Sequence, residues 1–161
     1  MVKYDLPPCI DKILSVRRDQ RKVTYIGYSQ GTTLMFYGLA SMEESYYGNK
    51  IKRAIMFAPC VFWTDYNVSY QDTVREYQGY ILSQSWSMGF AEPYGQQPES
   101  RNSWLWWSQI GIEDVFQEPI PLDEYAEGTR TSKALDLSSI NKVPISMIVP
   151  VKDTVCPKYD A

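Results

Sequence analysis

An α/β fold, built as a parallel sheet flanked by helices and carrying a long insertion, is what this sequence predicts, on three observations. Residues 22–28, KVTYIGY, and residues 51–58, IKRAIMFA, are short apolar runs rich in β-branched and aromatic side chains. Residues 30–42 between them have helical composition, and strand, helix and strand at this spacing make a parallel crossover unit. A third strand-like run, VPISMIVPV, follows at residues 143–151.

Asp5 stands where a helix cap is wanted, and Pro7 and Pro8 follow in a first turn whose amide protons have no intrahelical partner. Ile10, Ile13 and Leu14 then share a face, and the helix is expected to end near Arg18. After the strand at 22–28, the helix at 30–42 is expected to turn Leu34, Leu39 and Met42 inward. The strand at 51–58 is closed by Pro59, and the one at 143–151 is interrupted by Pro150 and succeeded by Lys152 and Asp153. Residues 61–134 differ in character: tyrosines and tryptophans are scattered among Gln, Ser, Glu and Pro with no long period, which reads as an inserted, mostly helical subdomain. The expected organisation is therefore a core of residues 1–60 and 135–161 with an insertion at 61–134.

Composition narrows the function. A chain of 161 residues, 44% hydrophobic and 14% aromatic, can bury a core of its own. With 16 basic against 19 acidic residues and no basic run longer than Arg17-Arg18, no surface is prepared for polyphosphate, so nucleic acid is not an expected partner. Cys9, Cys60 and Cys156 are too few and too scattered for a disulfide framework and are read as buried free thiols; with no histidine in the chain, a zinc site would have to be built from unusual ligands. The first residues lack a secretory apolar core, and SWLWWSQIGI is too short and too polar to span a bilayer, so no transmembrane segment is expected. Asn67-Val68-Ser69 is a glycan acceptor triplet.

The stretch VTYIGYSQGTT, residues 23–33, holds Gly27-Tyr28-Ser29-Gln30-Gly31. Gly-x-Ser-x-Gly is either an ordinary glycine turn or a nucleophile elbow, in which a serine on a sharp strand-to-helix turn is lifted clear of the sheet. Here a strand precedes it and a helix follows. In an open parallel sheet functional groups gather beyond the carboxyl ends of the strands, where both Ser29 and Asp153 fall. Gly27 and Gly31 would remove side chains where strand and helix approach closely. These features favour the elbow.

MVKYDLPPCIDKIL, then KVTYIGYSQGTT, a helix and KIKRAIMFAPC, followed much later by DLSSINKVPISMIVPVKDTVCP, resemble the acid lipases, the gastric and lysosomal lipases and their relatives. The resemblance implies part of an α/β-hydrolase fold, with residues 61–134 as its cap or lid. It makes Ser29 the acyl-enzyme nucleophile, Asp153 the acid that orients a histidine, and the amide of Gln30 an oxyanion donor at a helix N-terminus. It implies lipid ester substrates, acylglycerols or sterol esters, hydrolysed with no cofactor or metal, contact with a lipid–water interface through the cap, and a lysosomal or secreted setting. Tyr28 stands where the family commonly has histidine, a position that is not the catalytic base.

The larger departure is the absence of any histidine. Without a base the serine hydroxyl stays protonated, and Asp153 has nothing to orient. The family's oxyanion His-Gly loop and its base both lie outside the regions matched, and Met1 falls at an internal position of the family pattern. The expectation is a lipase fragment, inactive alone; the alternative is a degenerate homologue serving as a binding or structural protein. A different α/β-hydrolase, such as a small-molecule esterase, would keep the same serine. Trp104, Trp106 and Trp107 are read as packing rather than as a lid surface, Cys156 as a packed thiol, and Asp65, Asp123 and Asp136 as acids inferior to Asp153 because no apolar strand precedes them.

Overall fold

Three parallel strands, β1 (Val23–Tyr28), β2 (Ile51–Phe57) and β5 (Ile145–Ile148), side by side in that order, organise the unit formed by Met1–Val61 and Leu135–Ala161. The structure, a computed structural model, describes residues 1–61, 90–91, 99–100, 106–107, 109–110, 115–120, 124 and 132–152. Helix α1 (Leu6–Val16) leads to β1 (Val23–Tyr28), helix α2 (Gln30–Met42), a π-helical turn (Glu43–Tyr47), α3 (Gly48–Lys50) and β2 (Ile51–Phe57). Later come a short 3₁₀ turn (Leu137–Ser139) and β5 (Ile145–Ile148). The small parallel sheet with helices is the α/β arrangement that the alternation of apolar runs implied.

Strand β2 is central. Tyr25 and Gly27 of β1 register with Ala54 and Met56, and Ala54 registers in turn with Ile145 of β5. The ladder extends past the regular strands where the Ala54 N–H donates to the Pro144 carbonyl at 3.0 Å and the Ala58 N–H to the Ile148 carbonyl at 3.0 Å. Helix α2 crosses from β1 to β2 and is buried almost all round, with Thr32, Thr33, Met35, Phe36, Tyr37 and Leu39 all inside. That wide burial explains why its sequence shows no narrow apolar stripe. Leu39 is inward as expected, whereas Leu34 and Met42 are only half-buried.

Two tyrosines stitch the π-helical turn to the N-terminal segment, one to α1 and one to the residues before it. The Tyr46 hydroxyl donates to the Pro7 carbonyl at 2.9 Å and the buried Tyr47 hydroxyl to the Val2 carbonyl at 2.6 Å. Glycine at position 38 makes room for the second ring, since a Cβ there would lie 2.7 Å from it. Lys50 pairs with Asp11 at 3.0 Å, and the lysine holds the Asp11 carboxyl below its usual range.

β5 comes from more than a hundred positions after β1, and Glu43 fastens its approach. This buried carboxylate accepts hydrogen bonds from the amides of Asn141, Lys142 and Val143 at 3.1, 3.1 and 3.2 Å. A buried anion is tolerated because three backbone donors replace its water.

Several details differ from what the sequence suggested. Asp5 occupies the cap position of α1, but its side chain caps no amide; it pairs with the Met1 ammonium at 3.2 Å. Helix α1 stops at Val16, and Ile13 is 51% exposed because only Pro7 and Ile10 of that face are covered. The third strand is shorter than the apolar run, since Pro144 and Pro150 lie at its margins and cannot donate to a ladder. The cysteines are not uniformly buried thiols: Cys9 is free but exposed, and Cys60 is buried but disulfide-bonded. Cys156 lies outside the described residues.

The second unit, Phe62–Ala134, is described only in pieces. Strands β3 (Phe90–Ala91) and β4 (Glu99–Ser100) pair antiparallel, and Gln117 bridges Ala134. Trp106 and Trp107 are buried, tilted against one another with centroids 5.9 Å apart, and the Trp106 indole N–H donates to the Gln117 carbonyl at 2.8 Å. These two rings are packing, as read. Trp104, Asn67, Asp65 and Asp123 lie outside the described residues, as does most of the stretch expected to be helical.

The sheet face away from α2 carries Ile26, Tyr28, Phe57 and Ile148, which are 66%, 74%, 40% and 47% exposed, and among the described strands β1 is paired on one side only. Parallel sheets are ordinarily covered on both faces, and bare edges invite pairing. We expect the purified chain to self-associate at micromolar concentration in light scattering, and amide exchange to be faster along Val23–Tyr28 than along Ile51–Phe57. A monomer with equal protection of the two strands would contradict this.

Alkaline stability follows from the tyrosine stitches. Burial, aided by the Asp11 carboxylate, pushes the Tyr46 phenol up to about 12, and burial with neighbouring Tyr46 and Tyr25 raises that of Tyr47 as well. The folded state thus favours the protonated phenols, so their contribution is complete below the usual tyrosine value near 10 and is lost as pH rises toward about 12. Urea midpoints should fall between pH 9 and 11.5, and less steeply in Tyr47→Phe.

Candidate active site

At the carboxyl end of β1 the chain reverses into α2 through a single residue, Ser29. Its backbone has φ 51° and ψ −123°, a conformation rare for any residue with a side chain. The Ser29 N–H donates to the Phe57 carbonyl at 3.1 Å, which carries the β1–β2 ladder one residue past the strand and sets the serine at the sheet rim. Its carbonyl accepts from the Thr32 amide at 2.8 Å and from the Thr32 hydroxyl at 2.6 Å. Gln30 is the first residue of α2, and its amide is one of those for which the helix itself supplies no acceptor.

The flanking glycines have different jobs. A Cβ at Gly27 would lie 2.9 Å from the Tyr25 ring and 3.1 Å from the backbone of Gly31, so strand and helix touch there only because that side chain is missing. A Cβ at Gly31 would meet nothing closer than the Tyr25 hydroxyl at 3.5 Å, an ordinary contact. Tyr25 instead uses the Gly31 backbone: its hydroxyl donates to the Gly31 carbonyl at 2.8 Å, and burial raises its pKa.

The turn after β2 closes the far side. Ala58 has φ 46°, the other positive value among the described non-glycine residues, and leads through buried Pro59 to Cys60. The Cys60 N–H donates to the Thr32 hydroxyl at 3.0 Å, and the Thr33 hydroxyl donates to the Cys60 carbonyl.

The structure thus brings Gly27, Ser29, Gln30 and Gly31 into one strand-to-helix turn. Asp153 lies outside the described residues, which reach Lys152 just beyond β5. Asp136 is exposed and committed elsewhere: its carboxylate accepts from the Ser138 amide at 2.9 Å and the Ser138 hydroxyl at 2.6 Å, bonds that lower its pKa. Sequence reasoning missed Tyr25, Thr32, Thr33 and Cys60. Two consecutive β-branched threonines near the start of a helix, where propensity disfavours them, were the available signal. Chemically, the turn presents a hydroxyl-bearing residue at the N-terminus of a 13-residue helix, where backbone dipoles favour developing negative charge.

Known lipases match a stretch of this chain. Lipase member M of Mus musculus is 44% identical over 59 residues, 37% of this chain and 13% of its own length. Gastric triacylglycerol lipase of Mus musculus is 44% identical over 59 residues, 37% of this chain and 14% of its own. Lysosomal acid lipase/cholesteryl ester hydrolase of Macaca fascicularis is 41% identical over 61 residues, 38% of this chain and 14% of its own. Over that stretch the chain is a homologue of the acid lipases, as its motifs implied, and the match spans about one seventh of the length of these relatives. No family model matches the chain. Among the described residues, no helix is long and apolar enough to cross a membrane.

The glycines give a direct check of the turn. Gly27→Ala should destabilise by about 1–3 kcal/mol, because the methyl meets an aromatic ring and backbone that cannot both move aside. Gly31→Ala should be neutral or stabilising by up to about 1 kcal/mol, since it replaces a helical glycine at a roomy site. Urea denaturation of the two variants measures both.

Proposed function

We propose that this chain carries the nucleophile portion of a serine hydrolase of the acid lipase type, acting on carboxylic esters of neutral lipids. The observation that carries the reading is Ser29 in a left-handed strand-to-helix turn at the rim of a parallel sheet, in a chain locally homologous to acid lipases. The Ser29 hydroxyl attacks the ester carbonyl while a base removes its proton, the Gln30 amide steadies the oxyanion, and the alcohol leaves with a proton from that base. Water then attacks the acyl-enzyme, releasing the acid and restoring the serine. Asp153 is the residue that orients the base. The relatives' printed names, a triacylglycerol lipase and a cholesteryl ester hydrolase, support acylglycerols or sterol esters as the substrate class. The finer architecture proposed with this is an α/β-hydrolase core interrupted by a cap at residues 61–134 that meets the lipid–water interface.

The base is a histidine in the resembled family, and this chain has none. The same fact favours a second reading, a hydrolase-like binding or structural protein without catalysis. A pair of assays separates them. The chain alone should hydrolyse a short nitrophenyl ester no faster than its Ser29→Ala variant. Joined to the histidine-bearing segments of a gastric-type relative, it should gain turnover of at least about a hundredfold, the scale of positioned acid–base catalysis, and Ser29→Ala should abolish acyl-enzyme formation in that protein. Turnover that never appears, or that survives loss of Ser29, removes the hydrolase reading.

A further inference from the structure

Thr32 lies in the first turn of α2 with no exposed surface, and its hydroxyl has two partners on different parts of the chain. It donates to the Ser29 carbonyl at 2.6 Å and accepts from the Cys60 N–H at 3.0 Å. The first bond is the short back-bond that helical threonines commonly make. The second is not local, since it joins residues 28 positions apart. Thr33, equally buried, donates its hydroxyl to the carbonyl of the same Cys60. Both backbone polar groups of Cys60 are therefore bonded to the start of α2, and Cys60 is itself held by a disulfide.

A serine at φ 51° and ψ −123° keeps that geometry only when its surroundings over-determine it. The amide of Ser29 is bonded to Phe57, the last residue of β2, and its carbonyl to Thr32. Thr32 is bonded to Cys60, three residues beyond Phe57. Ser29 is thus gripped on both sides by the carboxyl end of β2, directly on its N–H and through the Thr32 hydroxyl on its carbonyl. A threonine hydroxyl has the one donor and spare acceptor that this relay requires, and valine has the same shape with neither.

We propose that Thr32 is a positioning residue for Ser29, transmitting the fixed orientation of the Cys60 turn to the Ser29 peptide and so aiming the serine side chain. The assignment rests on Ser29 being the nucleophile of the proposed reaction. Its structural content is tested separately, by amide exchange on the full chain followed by NMR, in wild type, Thr32→Val and Thr32→Ser. With the relay broken, Thr32→Val should speed exchange at Cys60 and Ser29 by about tenfold or more relative to the interior of β2 in the same sample. Thr32→Ser, which keeps the hydroxyl and loses the methyl, should stay within about twofold of wild type at both amides. Unchanged exchange in Thr32→Val, or exchange in Thr32→Ser as fast as in Thr32→Val, overturns the proposal. Should Thr32→Val not fold, Thr32→Ser decides alone: wild-type protection at Cys60 and Ser29 supports the hydroxyl relay, and its loss assigns the site to methyl packing and overturns it. The measurement needs no acyl chemistry, so an inert Ser29 would count against the hydrolase reading without touching the Thr32 relay.

Discussion

The first turn of α2 comes so close to the end of β1 that a single methyl group at residue 27 would sit 3.1 Å from the Gly31 backbone. That approach is the constraint from which the larger unit is built. It forces the reversal into one residue, which puts Ser29 into left-handed backbone, and it lays α2 along the sheet so that Thr32, Thr33, Met35, Phe36 and Leu39 are covered. With the helix packed there, β2 returns parallel to β1 and pairs directly with it. The serine at the rim and the buried first turn of α2 both lie at this one close contact.

Polar groups, rather than apolar ones, specify how the remaining pieces dock. Glu43 gathers three consecutive amides of residues 141–143 and so aligns the chain before β5, while the tyrosine hydroxyls at 46 and 47 reach the backbone of Pro7 in α1 and of Val2 before it. Each of these groups is costly to bury without its partner, so each disfavours any register in which the partner is displaced. Apolar burial supplies most of the driving force, but a strand of four residues such as β5 has little of it to distinguish one register from the next. The Glu43 clamp provides that distinction. The π-helical turn in which Glu43 lies delivers the carboxylate to the loop, Tyr46 to Pro7 of α1 and Tyr47 to Val2, which gives this rare conformation a reason.

One face of the sheet has the composition of an interior and the exposure of a surface. Ile26, Tyr28, Phe57 and Ile148 lie on it, opposite the face that α2 covers. The mixture of a tightly determined elbow and an uncovered apolar face within one sheet bears on how this chain behaves in isolation. The elbow depends on α2 and on the end of β2, and the hydrogen bonds that hold Ser29 come from those two elements and the turn after β2.

The sequence by itself determined the elements and their kinds: β-branched runs at β1 and β2, a helix between them, a later strand, and a glycine-flanked serine at the strand-to-helix junction. These are set by local propensity and spacing, which a single sequence displays directly. It also carried enough motif identity to show the acid lipase resemblance. Only the tertiary structure decided that Leu34 and Met42 are half-buried while Thr32 and Thr33 are wholly inside, that Ile13 is exposed, that Asp5 pairs with the chain terminus instead of capping, and that Cys60 is bonded rather than free. Burial of Thr32 and Thr33 depends on Cys60, a partner brought from 28 and 27 residues away. Periodicity reports the face a side chain occupies on its own element, but the partner that meets that face is chosen by long-range packing, which no local window contains.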